Sequence, residues 1–284
     1  MDRPDPSYVA DQVRRFDHDR FLTTLFVPAR RREAVLALFA FNLELARARE
    51  LVREPMMGLM RLQWWRDAVE GIYAGTPRRH EIIEPLAAAV CDHRLERRLL
   101  DRLIDGREAD MNPAPPADLA ALADYAAATS GTLVRLVMAV LAAGNDVPPG
   151  AGDAAEAIGS AWALTGLVRA VPFHARAQRL YLPQTVIDRT GLDVGQLFEL
   201  RSSPALAEAC RVVVEAAGER LADGRRRARA VPRPLRPALL PAALADLYLV
   251  RLARAGCDPF DPRVQQPAPG RVWRLLLASL TGRV

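Results

Sequence analysis

An all-α fold is predicted by three features of this sequence. Apolar residues recur at three- and four-residue spacing over long stretches, alternating strand patterns are scarce, and the 22 prolines fall mainly between the helical windows. Half of the 284 residues are apolar and 26% are charged, which supplies ample material for a buried core. The expected architecture is one helical bundle over 1–284. Within it, 1–15 is expected as a flexible tail and 257–270 as a proline-rich connection to a last helix.

The first window, 29–53, begins after Pro28, a favoured start signal, and stops before Pro55. Its apolar positions Val35, Leu38, Phe39, Phe41, Leu45 and Leu51 follow a helical stripe. In the next window, 56–74, neighbouring residues point in different directions, so Trp65 is expected inward and Trp64 near a rim. Met56, Met57 and Met60 read as core filler or as a pliable groove. Windows at 81–93 and 94–110 follow. Gly144-Asn145 and Pro148-Pro149-Gly150 then separate 117–143 from 151–171. The window 204–229 ends in Arg225-Arg226-Arg227 with Arg229, charges that complement a helix C-terminus. Pro232-Arg233-Pro234 precedes 235–255, and Gly256 closes it. The last window, 271–281, is basic and amphipathic. It either docks on the core or lies on a membrane surface.

Lys and Arg total 39, all of them arginine, against 34 Asp and Glu, for a net charge of +5. That is a modest field, and only 6% of residues are aromatic, so nucleic acid is not an expected partner. Cys91, Cys210 and Cys257 form no motif and are expected as small buried hydrophobes. Four scattered histidines make no zinc pattern. The polar start Met1-Asp2-Arg3-Pro4-Asp5-Pro6 does not read as a signal peptide, and a cytoplasmic location is expected. Arg135 interrupts the longest apolar run, Ala126 to Gly144, so membrane contact is expected to be peripheral at most.

Several segments resemble, in order, the squalene/phytoene synthase family, whose fold is that of the all-α isoprenoid synthases. They are Ala37-Leu38-Phe39-Ala40-Phe41; Trp65 with Tyr73 and Gly75; and Gly159-Ser160-Ala161-Trp162-Ala163-Leu164-Thr165, followed by Arg169 and Arg179-Leu180-Tyr181-Leu182-Pro183. Gly106-Arg107-Glu108-Ala109-Asp110 and Tyr125 with Ser130-Gly131 lie between them in the right order. The likeness runs over about 16–255.

The resemblance implies a prenyl diphosphate chemistry. Magnesium ions, held by carboxylates on two facing helices, neutralise the departing diphosphate. Carboxylates at i and i+4 share a helix face. Here both motifs are eroded. In the first, the family's acids fall at Ala46 and Arg47, and the distal one survives as Glu50. In the second, acidic positions fall at Ala170, Phe173 and His174, and the preceding Gln and Asn become Ala163 and Gly166. One carboxylate cannot hold a magnesium–diphosphate cluster, and Arg47 repels a cation. Pro172 breaks the helix where the family's second motif continues. His174 with Glu50 is too small a ligand set to specify a metal, so no cofactor is expected.

Phe41-Asn42-Leu43-Glu44-Leu45-Ala46 and Leu167 to His174 resemble a divergent branch of this family that serves in mitochondrial complex I assembly. The branch implies a non-catalytic role, with complex I subunits or assembly intermediates as partners, at the inner face of a membrane. Asp2 and Asp5 argue against a mitochondrial presequence. Two other functions stay open. An active, magnesium-dependent head-to-head prenyl transferase needs Glu44, Glu50, Asp105, Glu108 and Asp110 to converge on one cavity. A lipid or isoprenoid carrier without chemistry would retain lipid through purification, whereas the non-catalytic assembly role implies binding through an apolar central cavity with a basic rim. Arg169, Arg176 and Arg179 with Tyr181 have two readings: a pocket binding a prenyl or lipid phosphate by bidentate contacts, or ion pairs and packing within the bundle.

Overall fold

The computed structural model describes residues 7–50 and 54–282, which contain helices and no strand. Two short helices open the chain, α1 (Tyr8–Phe16) and α2 (His18–Thr24). Ser7 and Asp17 cap them by accepting from the backbone N–H groups of Ala10 and Arg20. Val9 and Val13 are buried, and α1 packs on the next helix, so most of the expected tail 1–15 is part of the bundle. Only 1–6 of that segment lies outside the described residues.

The helix after Pro28 is α3 (Ala29–Arg47), buried on nearly every side by Val35 to Asn42 and Leu45. A helix apolar all round belongs at the centre of a bundle. Next come α4 (Pro55–Tyr73), α5 (Ile83–His93) and α6 (Arg97–Gly106). The expected window 94–110 is divided. Arg94, in the left-handed region at φ 51°, ends α5, and beyond α6 the chain tightens into a 3-10 turn, Arg107–Met111. The window 117–143 is α7 (Leu119–Ala126), a π-helical turn Ala127–Gly131, and α8 (Thr132–Ala142). This run is long and apolar enough to span a membrane, but it is mostly buried in the bundle, and its Arg135 donates to Glu156 at 3.1 Å.

A second central helix, α9 (Ala151–Arg169), is rich in Ala and Gly along its length. Gly159 is required there: a Cβ would lie 2.4 Å from the Ser130 carbonyl oxygen of the π-helical turn. Ala170 ends α9, and Pro172 sits in the first turn of α10 (Val171–Arg176), so the predicted break falls where proline places it. Sequence reading did not find α10, α11 (Gln184–Thr190) or α12 (Val194–Phe198). Ser203 caps α13 (Pro204–Ala228), which runs along α9. A 3-10 stretch, Arg233–Leu239, leads into α14 (Pro241–Arg254), and α15 (Pro262–Gln265) and α16 (Arg271–Thr281) complete the chain.

One apolar core joins α1, α3 to α6, α8, much of α9 and α14. The other joins the end of α9 to α10–α13. Trp65 is buried and Trp64 sits at the surface, as the helix geometry predicts. Cys91 departs from expectation: it is exposed, on the outer side of α5, whereas Cys210 and Cys257 are buried.

Candidate functional site

A buried polar cluster lies where α3, the 3-10 turn, α7 and the irregular segment after α10 meet. The Asp110 side chain is 3% exposed, and its Oδ1 accepts from the Tyr125 hydroxyl at 2.8 Å and the Tyr181 hydroxyl at 2.7 Å. Arg107 approaches Oδ2 at 3.4 Å. It also donates to the Tyr125 hydroxyl at 2.9 Å and to Oδ1 of Asn42 at 3.2 Å. Arg179 donates to the Asp110 carbonyl oxygen at 2.9 Å and to the Tyr181 hydroxyl at 2.7 Å. Both phenols are pushed well above their ordinary range, first by burial. Burial works against the Arg107 charge, but its tyrosine neighbours and Asp110 outweigh it and raise its pKa. The cluster is a carboxylate satisfied from several sides, which makes it a brace between segments distant in sequence.

Beside the brace lies an open cleft of about 480 Å³, lined by Arg49, Asp110, Asn112, Gln178, Arg179 and Tyr181 with a wall of prolines. Arg179 and Tyr181 are thus the only two members of the four-residue anion pocket that meet there. Arg176 is exposed on α10, outside this lining. Arg169 turns the other way and stacks on Tyr248, 3.5 Å from the ring centre, with its pKa lowered by burial. Gln265 donates to the Arg169 carbonyl oxygen, tying α15 to the end of α9.

The two eroded motifs carry few ligands. Arg47 stacks on Phe16 at 3.8 Å and lies 3.7 Å from Glu44, which is also 3.7 Å from Arg61. Glu50 is exposed beyond the end of α3. Ala46 and Ala170 carry only methyl groups, and Phe173 is exposed. His174 packs its ring 4.6 Å from that of Tyr181, and its Nδ1 is buried with no hydrogen-bond partner among the described residues. Burial, then the Arg179 charge, pushes its pKa down to about 4, so it is neutral at pH 7. The other acids named for a displaced metal site do not converge. Asp105 and Glu108 both accept from Arg66, at 2.7 and 2.6 Å, and Asp110 belongs to the brace. Among the described residues no three His, Cys, Asp or Glu side chains form a metal-binding group.

On α4, Met57, Met60 and Trp64 stand exposed with Arg61, Trp65, His80 and Glu44 around a separate groove of about 390 Å³. The methionines are therefore a groove wall rather than core filler.

Comparison with known proteins assigns the family. The model of squalene/phytoene synthases matches residues 13–273. The chain belongs to the squalene/phytoene synthase family. Complex I assembly factor 6 of mouse is 31% identical over 259 residues, covering 91% of this chain and 77% of that protein. The human protein is 29% identical over the same length and shares. A presqualene diphosphate synthase from Rhodopseudomonas palustris is 26% identical over 197 residues, 67% of each chain. Among solved structures, a dehydrosqualene synthase superposes with a TM-score of 0.82 at 16% identity, over 97% of this chain and 95% of that one. A squalene synthase from Alicyclobacillus acidocaldarius gives 0.76 at 18% identity, over 89% and 94%. The isoprenoid synthase fold is thus retained.

The magnesium implied by the squalene/phytoene synthase family does not fit these residues. Of its donor positions only Glu50 keeps a carboxylate; the others hold two alanines, a phenylalanine, a neutral imidazole and a stacked guanidinium. Hard divalent cations select several oxygen ligands; Glu44, Asp105, Glu108 and Asp110 are engaged by arginines or phenols, which leaves Glu50 as a single exposed carboxylate. What sequence reading missed is the Asp110 brace. Its one local signal was Arg107 and Asp110 three residues apart, a spacing that pairs side chains on a helical turn.

Proposed function

We propose that this chain is a non-catalytic member of the family that acts as an assembly or maturation factor for respiratory complex I. Its partners are subunits or assembly intermediates of that complex, and it works without a cofactor, in the cytoplasm, peripherally at the inner face of the membrane. The observation that carries the reading is the state of the two motifs: acids replaced at Ala46, Arg47, Ala170, Phe173 and His174, Glu50 left as a single carboxylate, and Glu44, Asp105, Glu108 and Asp110 occupied by other partners. Similarity to complex I assembly factor 6 across 91% of the chain supports the same reading. A head-to-head transferase needs charge neutralisation that this donor set does not offer.

The test is deletion of the gene in its native host, with NADH:ubiquinone oxidoreductase activity measured in membranes. Loss of activity with restoration by a plasmid copy is expected. Unchanged complex I together with a fall in squalene or carotenoid content would assign the transferase role instead.

A second reading attaches to the cleft alone. Arg49, Arg179, Asn112 and Gln178 on its wall suit a lipid or prenyl phosphate. Such a lipid is expected to persist through purification and to appear by mass spectrometry of the purified protein.

A further inference from the structure

The last helix, α16, carries its apolar face outward. Trp273 is 69% exposed, Leu277 57% and Leu280 76%. Their spacing of four and three residues sets them in one row, with Val272 exposed and Leu276 half-buried on the same side. The helix is held to the protein by its other side. Leu275 and Ala278 are buried there, Arg271 donates to Asp19 at 2.8 Å, and Arg274 donates to Asp246. A surface helix that simply caps a bundle is arranged the opposite way, with its apolar face inward. Here the two acids beneath the helix are consumed by ion pairs, and four large apolar side chains are left outside with Leu276 half-buried beside them.

Around the row arginine outnumbers acid: Arg271 and Arg274 are paired with Asp19 and Asp246, whereas Arg236 donates to backbone carbonyl oxygens. From Pro262 to Val284 the chain has four arginines and no acidic residue. Exposed Arg233 lies against the same end of α16, lining a hollow with Arg236, Leu280 and Thr281. A tryptophan and leucines in a row, bordered by arginines, with the nearest carboxylates already neutralised in ion pairs, complement a surface that is apolar below and anionic above. A bilayer of anionic lipid has that profile: tryptophan settles at the headgroup level, leucines reach the acyl boundary, and guanidinium groups meet phosphates.

We propose that the Val272–Trp273–Leu276–Leu277–Leu280 face of α16 is the surface by which this protein docks on an anionic membrane, the helix lying in the plane of the interface. The bundle would then stand on the bilayer through its C-terminal helix. This deepens the peripheral location proposed above, and it is tested apart from the assembly role, because purified protein and vesicles suffice.

The full-length protein is floated with phosphatidylcholine vesicles that contain or lack phosphatidylglycerol. It is expected to float with the anionic vesicles and to bind neutral ones about tenfold more weakly or worse. The triple variant W273S/L277S/L280S changes only exposed side chains. It is expected to keep its circular dichroism and melting temperature while losing vesicle affinity about tenfold or more. Leu280→Glu, at the most exposed position, serves as a second variant and is expected to lose affinity several-fold even if the triple variant folds poorly. The proposal is overturned if the wild type fails to float, or if the variants float as well as it does. It is equally overturned if the row proves to mediate self-association, seen as a concentration-dependent dimer that the variants abolish with no vesicle binding by either form.

Discussion

Removing the Arg107 charge tests whether the Asp110 cluster is a brace or an incidental group of polar side chains. In Arg107→Met the buried Asp110 keeps the two phenol donors but loses its nearest guanidinium, and Tyr125 and Asn42 each lose a donor. Breaking a buried ion pair by deleting one partner costs about 3–5 kcal/mol. The 3.4 Å separation and the phenols that remain on Oδ1 set the lower end, about 3 kcal/mol. Asp110→Asn keeps an oxygen acceptor but leaves Arg107 facing Arg179 without a charge between them, again about 3 kcal/mol. If the two residues act as one unit, the double variant removes both charges together and costs about 4 kcal/mol rather than the sum of about 6. The assay is urea unfolding at pH 7, followed by circular dichroism, with midpoints compared at a common slope. Costs that add within about 0.5 kcal/mol, or single costs below about 1, would refute the brace.

Two further predictions concern stability. The His174 pKa lies at about 4 in the folded protein and near 6.5 in the unfolded chain, so the unfolded state binds the extra proton between those values. Stability therefore falls as pH drops from about 6.5 to about 4, by about 3 kcal/mol from this group, and levels off below. His174→Asn is expected to remove that portion, measured as the wild-type minus variant difference in urea midpoint at pH 7 and pH 4; an unchanged difference rejects the assignment. Gly159→Ala places a methyl group 2.4 Å from the Ser130 carbonyl oxygen, backbone against backbone, and is expected to cost about 3 kcal/mol or more in thermal unfolding. A melting temperature equal to wild type would show that the α9 contact with the π-helical turn can yield.

The long helices were legible because each buries a stripe several turns long. The windows 29–53, 151–171 and 204–229 contain α3, α9 and α13 with ends set by Pro28, Pro172 and the Ser203 cap. The helix α1 was not legible: it buries only Val9 and Val13 and leaves Tyr8 and Phe16 outside, too few apolar positions to give a period. The same holds for α10 to α12, each of seven residues or fewer. The site divides in the same way. The lost carboxylates at Ala46 and Ala170 could be read position by position from the chain. The brace joins Asn42, Asp110, Tyr125 and Tyr181 across separations of up to 71 residues, and no local pattern marks partners that far apart. Arg169 and Arg179, ten residues apart, were grouped by sequence, but Pro172 and the turn after α10 send them to Tyr248 and to Asp110 respectively.

The loss of both carboxylate motifs is tested most directly by diphosphate release. Purified protein is incubated with magnesium and farnesyl or geranylgeranyl diphosphate, and inorganic diphosphate is followed over time. No release above the protein-free background is predicted. Turnover in the ordinary enzyme range, about 1 per second or faster, would contradict it.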